Sequence, residues 1–109
     1  MLKKDSNNWI EFRLNTNDVQ CVQFFSNNNG TVTKQQCIES SSSYLGNYNT
    51  FKIVKSGDTY TAYLNGTQKG YSFTNSGLGD NDIVGAMNSS TCSWKSGAAN
   101  NYFDYFKVE

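Results

Sequence analysis

The sequence contains no histidine and no proline. Without histidine it lacks the one side chain that ordinarily titrates near neutral pH, and so the usual general base and a common metal ligand. None of its three cysteines, Cys21, Cys37 and Cys92, stands in a C-x-x-C pair, which argues further against a zinc site. Without proline, every turn has to rest on Gly, Asn, Asp or Ser. Charge is sparse and balanced, with 9 Lys and Arg against 9 Asp and Glu. That balance offers nothing to nucleic acid or to an anionic membrane, and Lys3-Lys4 is too short for a basic patch. No apolar run approaches the roughly 18 residues of a membrane span. The opening MLKKDSNN has none of the apolar core of a secretory signal. Export is therefore expected to depend on a targeting segment this sequence does not carry, with Met1 added for expression.

What remains is aromatic and polar. Leu, Ile, Val and Phe supply only 22 of the 109 residues, yet 16 residues are aromatic. Large rings close a core that the aliphatic inventory alone would leave thin. The length suits one domain, residues 1–109, with little apolar surface to spare. Small cores of this kind lean on a disulfide, a metal or a partner subunit. Asn, Ser and Thr total 37 residues, a polar uncharged surface suited to a secreted β-protein. Cys21 and Cys37 fall on two strands that the turn-rich SNNNG (26–30) could join. Either they form a bridge worth about 3 kcal/mol, or they pack as buried free thiols. With the bridge made, Cys92 is left free or paired to another chain.

The pattern is that of strands. Asn49 to Gly66, NTFKIVKSGDTYTAYLNG, reads as two strands, Phe51–Lys55 and Thr59–Leu64, with turns at Ser56-Gly57-Asp58 and Asn65-Gly66. Tyr60, Ala62 and Leu64 share one face, and Thr59, Thr61 and Tyr63 the other. Further strands are expected at Trp9–Leu14, Val19–Phe25, Thr31–Ile38, Gln68–Phe73, Asp82–Met87 and Tyr102–Val108. In the first of these, Ile10, Phe12 and Leu14 face inward, while Trp9, Glu11 and Arg13 face outward. The last strand puts Phe106 and Val108 inward and Tyr105 and Lys107 outward. Ser40–Ser43 reads as a flexible loop. Short strands at intervals of about 8–12 residues predict an all-β, antiparallel sandwich or barrel.

FKIVKSGDTYTAYLNGTQ resembles the central hairpin of concanavalin A-like jelly-roll domains, the laminin-G-like and glucanase-like sandwiches. Asp82-Ile83-Val84-Gly85 is similar to the strand that follows it there, and Phe103-Asp104-Tyr105-Phe106-Lys107-Val108 to the closing strand. The resemblance spans roughly Trp9 to Val108 and implies an antiparallel β-sandwich of jelly-roll type. Complete members run well beyond 109 residues. A reduced sandwich, or the C-terminal part of a larger one, are both compatible with this length. A missing strand set would expose an apolar face, to be covered by a second copy or by another chain. The resemblance implies mainly glycan binding, with glycan hydrolysis or lysis and protein adhesion as other outcomes.

A retaining glycosidase needs two carboxylates about 5–5.5 Å apart. The glucanase-like E-x-D-x-x-E run is missing, Glu11, Glu39 and Glu109 are isolated, and nothing specific marks any of the seven tyrosines for lyase chemistry. The expectation is therefore no enzyme. Sugar recognition asks for exposed rings with amides, carboxylates or Arg at the rim. Candidates are Trp94 in the polar TCSWKSG, Trp9 with Arg13, Tyr63 and Tyr105. Each ring has an alternative use as cover for a sheet face or as a cross-strand support. Asp80 and Asp82 offer hard oxygens to calcium, although Gly-Asp-Asn-Asp is also ordinary turn chemistry. The resemblance adds Asp104 at a position that sometimes serves a structural metal.

These readings converge on a non-catalytic carbohydrate-binding module of an extracellular protein, with a polysaccharide or oligosaccharide as partner and calcium as the candidate cofactor. Two alternatives stand beside it. One is a structural or adhesion module that self-associates or binds protein, and the other a truncated part of a glycan-degrading enzyme.

Overall fold

The computed structural model describes residues 2–15, 19–79 and 83–84. Its elements are β1 (Leu2–Asp5), β2 (Asn8–Leu14), β3 (Cys21–Asn28), β4 (Thr31–Ser40), a 3₁₀ turn (Ser42–Tyr44), β5 (Phe51–Ser56), β6 (Thr59–Leu64), β7 (Thr67–Thr74) and β8 (Ile83–Val84). The strands form two sheets, one of five strands in the order β4-β3-β2-β1-β8 and one of three in the order β5-β6-β7. All pairings are antiparallel. The protein is an all-β sandwich. Among the described residues no helix is long and apolar enough to cross a membrane.

Turn chemistry sets the register. Asn29-Gly30 and Asn65-Gly66 both have positive φ at each residue, as a two-residue hairpin with the right twist requires. Pairing around Asn29-Gly30 carries β3 through to Asn28, so most of SNNNG is strand and only its last two residues are turn. At its other end β3 starts at Cys21 rather than Val19, because Gln20 sits at φ +48° and breaks the extended run.

The core lies between the sheets. Ile10, Phe12, Val22 and Phe24 enter from the five-stranded sheet, Tyr60, Ala62, Leu64 and Phe73 from the other, and Leu78 from the segment after β7. A chain of rings crosses the layers: Phe51 to Phe12 at 5.4 Å, Phe12 to Phe24 at 5.8 Å, Phe24 to Phe73 at 4.8 Å, and Phe73 to Tyr71 at 5.6 Å. Three of the four contacts are edge-to-face, which ring quadrupoles favour.

Two findings depart from the sequence reading. The strand Leu2–Asp5 was not expected, since LKKD has a single apolar residue. It is held between β2 and β8, and Asp5 closes its turn by accepting from Asn7 N at 2.8 Å and from Asn8 Nδ2 at 3.0 Å. The Asn7 main-chain N–H, first among these donors, holds the Asp5 carboxyl below the usual range. Ser40–Ser43 is not an open loop: Ser40 ends β4, Ser41, fully buried, donates to the Asn15 carbonyl at 2.8 Å, and Ser42 begins the 3₁₀ turn. Of the expected strand Asp82–Met87, the described part is Ile83–Val84; Tyr102–Val108 lies outside the described residues.

Candidate functional site

Phe24 and Phe25 are adjacent in a strand, so their rings must point to opposite faces. Phe24 goes into the core, and Phe25 goes to the outer face of the five-stranded sheet. The ladder then assembles that face in rows. Lys3, Trp9, Asn27 and Val32 lie opposite one another across β1 to β4. Glu11, Phe25 and Lys34 make the next row, and Arg13 with Gln23 the third. Successive rows are about 7 Å apart along the strands.

This surface is internally braced. Arg13 Nε donates to Gln23 Oε1 at 2.7 Å, Arg13 Nη1 lies 3.3 Å from Glu11 Oε1, and its guanidinium carbon sits 4.8 Å from the Phe25 centroid. Gln23 Nε2 in turn donates to the Gln36 carbonyl at 2.9 Å. Among the described residues, two of the five guanidinium donors are engaged. The Arg13 side chain is 39% exposed, Glu11 only 13%. Trp9 is half-buried, and Lys3 and Lys34 are exposed. The Asn27 amide donates to the Ser6 carbonyl at 3.3 Å, while its Oδ1 is buried without a donor.

The disulfide predicted as one of two readings is formed. Cys21 lies opposite Ser40 in the ladder, but β4 carries two extra residues between Gln35 and Glu39, and this bulge returns Cys37 to Cys21 with Cα atoms 5.0 Å apart. The bridge pins the end of the outer face nearest Arg13 and Gln23.

No family model, curated protein or solved structure matches the chain. The geometry of the face therefore carries the functional reading.

The structure brings Trp9 and Arg13 onto one face but not Tyr63. Tyr63 alternates with the core residues Ala62 and Leu64 on β6, which places it on the outer side of the three-stranded sheet, with Lys52 Nζ 5.9 Å from its ring centroid. Tyr63 and Trp9 thus look away from each other across the sandwich. Trp94, Tyr105, Asp80, Asp82 and Asp104 lie outside the described residues. Among the described residues no cluster of three or more His, Cys, Asp or Glu could hold a metal ion. Sequence reading missed Gln23, Phe25, Lys34 and Lys3 as members of the face. The Phe24-Phe25 pair was the signal for it, since one of two consecutive rings in a strand has to leave the core.

Proposed function

We propose that the protein is a non-catalytic carbohydrate-binding module of an extracellular protein, with the outer face of the five-stranded sheet as its binding surface. The observation that carries this is Trp9: an indole half-buried on a face whose other side chains are mostly polar. Its ring accepts the C–H side of a pyranose. Glu11 and the Arg13 guanidinium take hydroxyls, and Arg13 is already fixed by Gln23 and Phe25. A shallow face of this kind binds a single sugar chain with Kd on the order of 10 µM to 1 mM. The Cys21–Cys37 bridge supports an oxidising compartment, outside the cytosol. The two antiparallel sheets accord with the proposed kinship to concanavalin A-like jelly rolls.

Affinity electrophoresis against a polysaccharide panel tests the assignment. Trp9→Ala is expected to lose binding, while Tyr63→Ala on the opposite side keeps it. Retention with Trp9→Ala and loss with Tyr63→Ala would move the site off this face.

A second reading, self-association, draws on β5, which has a neighbour strand on one side only among the described residues. Phe51 at its start is 44% exposed. Light scattering coupled to size exclusion separates a monomer from an assembly that buries this edge.

A further inference from the structure

The chain is neutral overall, but the fold sorts its charges. Lys3, Arg13 and Lys34 all stand on the outer face of the five-stranded sheet, from β1, β2 and β4. Glu11 is the one acidic side chain in those rows, and it lies against Arg13 at 3.3 Å. Among the described residues, three cations against one anion leave these rows with two net positive charges. The other acidic side chains of the described strands and turns are elsewhere. Asp5 ends β1 beside the turn into β2, Asp58 is in the β5–β6 turn, and Glu39 is paired with Lys69 of β7.

The placement of the cations matters as much as their number. Arg13 and Lys34 approach the same ring, Phe25, at 4.8 and 6.0 Å from its centroid. Arg13 reaches it from β2, and Lys34 from the facing position on β4. The ring supports both cations by its negative face while their outer sides stay open to solvent. Arg13 has no freedom to fold away, because Gln23 and Glu11 hold it. Lys3 stands directly opposite Trp9, so a cation adjoins the stacking surface as well.

Building on the carbohydrate reading above, we infer that this face selects an anionic polysaccharide. Carboxylate or sulfate ester groups along the sugar chain meet Lys3, Arg13 and Lys34, while a pyranose ring covers Trp9. A guanidinium is suited to either oxyanion. Nucleic acid is the less fitting polyanion. Phe25 is buried under its two cations, which leaves Trp9 as the only aromatic surface in these rows, whereas single-strand binding relies on several rings on which successive bases stack.

The test uses matched pairs that differ only in the anion: polygalacturonate against its full methyl ester, and dextran sulfate against dextran. Binding of the full chain is measured by affinity electrophoresis and calorimetry at low salt and at 0.15 M ionic strength. The anionic member of at least one pair is expected to bind about tenfold more tightly. Its advantage should shrink at 0.15 M, where the screening length falls to about 8 Å. Lys3→Gln and Lys34→Gln should each cost about threefold, the size of one exposed ion pair. Lys52→Gln on the opposite side should cost nothing, and circular dichroism checks that each variant is folded. Preference within the first pair alone assigns carboxylate, and within the second alone sulfate. Equal binding to both members of each pair would keep the sugar site and overturn the selection for charge. Binding to none of the four would overturn both readings. A single-stranded oligonucleotide held as tightly as the best polysaccharide would also overturn it, since the face would then answer to any polyanion.

Discussion

Gln35 pairs with the main chain of Tyr71 as a strand residue would. Its Nε2 donates to the Tyr71 carbonyl at 2.8 Å, and its Oε1 accepts from the Tyr71 N–H at 3.0 Å. One side-chain amide thereby links β4 and β7, each the outermost described strand of its sheet. Gly70 makes this possible. It sits at φ +68°, and a Cβ there would fall on Gln35 Oε1.

Gly70→Ala is therefore expected to cost about 2–3 kcal/mol, combining the left-handed backbone penalty with loss of the amide pairing. Gln35→Ala alone should cost about 1–2 kcal/mol. Urea unfolding of both single variants and the double variant checks the coupling. In the Gln35→Ala background, the alanine at position 70 should cost only the backbone part.

Reduction of Cys21–Cys37 should lower stability by about 3 kcal/mol, the loop-closure value for a sequence separation of 16. Denaturation midpoints with and without reductant measure it, and a Cys21→Ala/Cys37→Ala variant should match the reduced protein.

Glu39 gives a pH signature. Its carboxylate meets Lys69 Nζ at 2.5 Å and accepts from the Tyr44 hydroxyl at 2.7 Å. The hydrogen bond from Lys69, and then that from Tyr44, hold the Glu39 carboxyl below its ordinary 4.5. Its contribution is thus complete above pH 4.5 and is lost as pH falls through the lowered folded value. Lys69, raised above 10.5 chiefly by Glu39, contributes fully below that pH and loses its part as pH rises through its folded value. With the Glu39 side chain 38% exposed, the pair contributes about 0.2–1 kcal/mol. Glu39→Gln should remove that increment at pH 7 and match the wild type at about pH 2, as read by urea midpoints.

Asn75 is fully buried and ties the end of β7 to β3. Its Nδ2 donates to the Asn27 carbonyl at 2.9 Å and to Ser26 Oγ at 3.1 Å, and its Oδ1 accepts from Gly77 N at 3.0 Å. Asn75→Ala should cost about 2–3 kcal/mol, because it leaves buried partners unsatisfied. Thermal and urea unfolding check it, with Asn47→Ala, an exposed loop asparagine, as the neutral control.

The hairpin β5–β6 was legible because its information is local. Tyr60, Ala62 and Leu64 alternate cleanly into the core, and Asn65-Gly66 can hardly be anything but a tight turn. Ile10 and Phe12 were equally plain. β1 was not, because LKKD becomes a strand through its neighbours β2 and β8 and not through its own pattern. Gln35 had no local mark at all, its partner lying 36 positions along the chain. Of the proposed ligand residues, Trp9 and Arg13 could be placed on one face from alternation. That Arg13 would be held over Phe25 depended on a cross-strand register no short window contains.

β3 has an unusual place in this architecture. Phe24 locks it into the dry interior and Phe25 builds the wet surface, so the two layers share one backbone. The surface cannot loosen without the interior loosening too. On the proposed carbohydrate reading, a sugar chain would meet a platform already shaped, and the entropy lost on binding would fall mainly on the sugar.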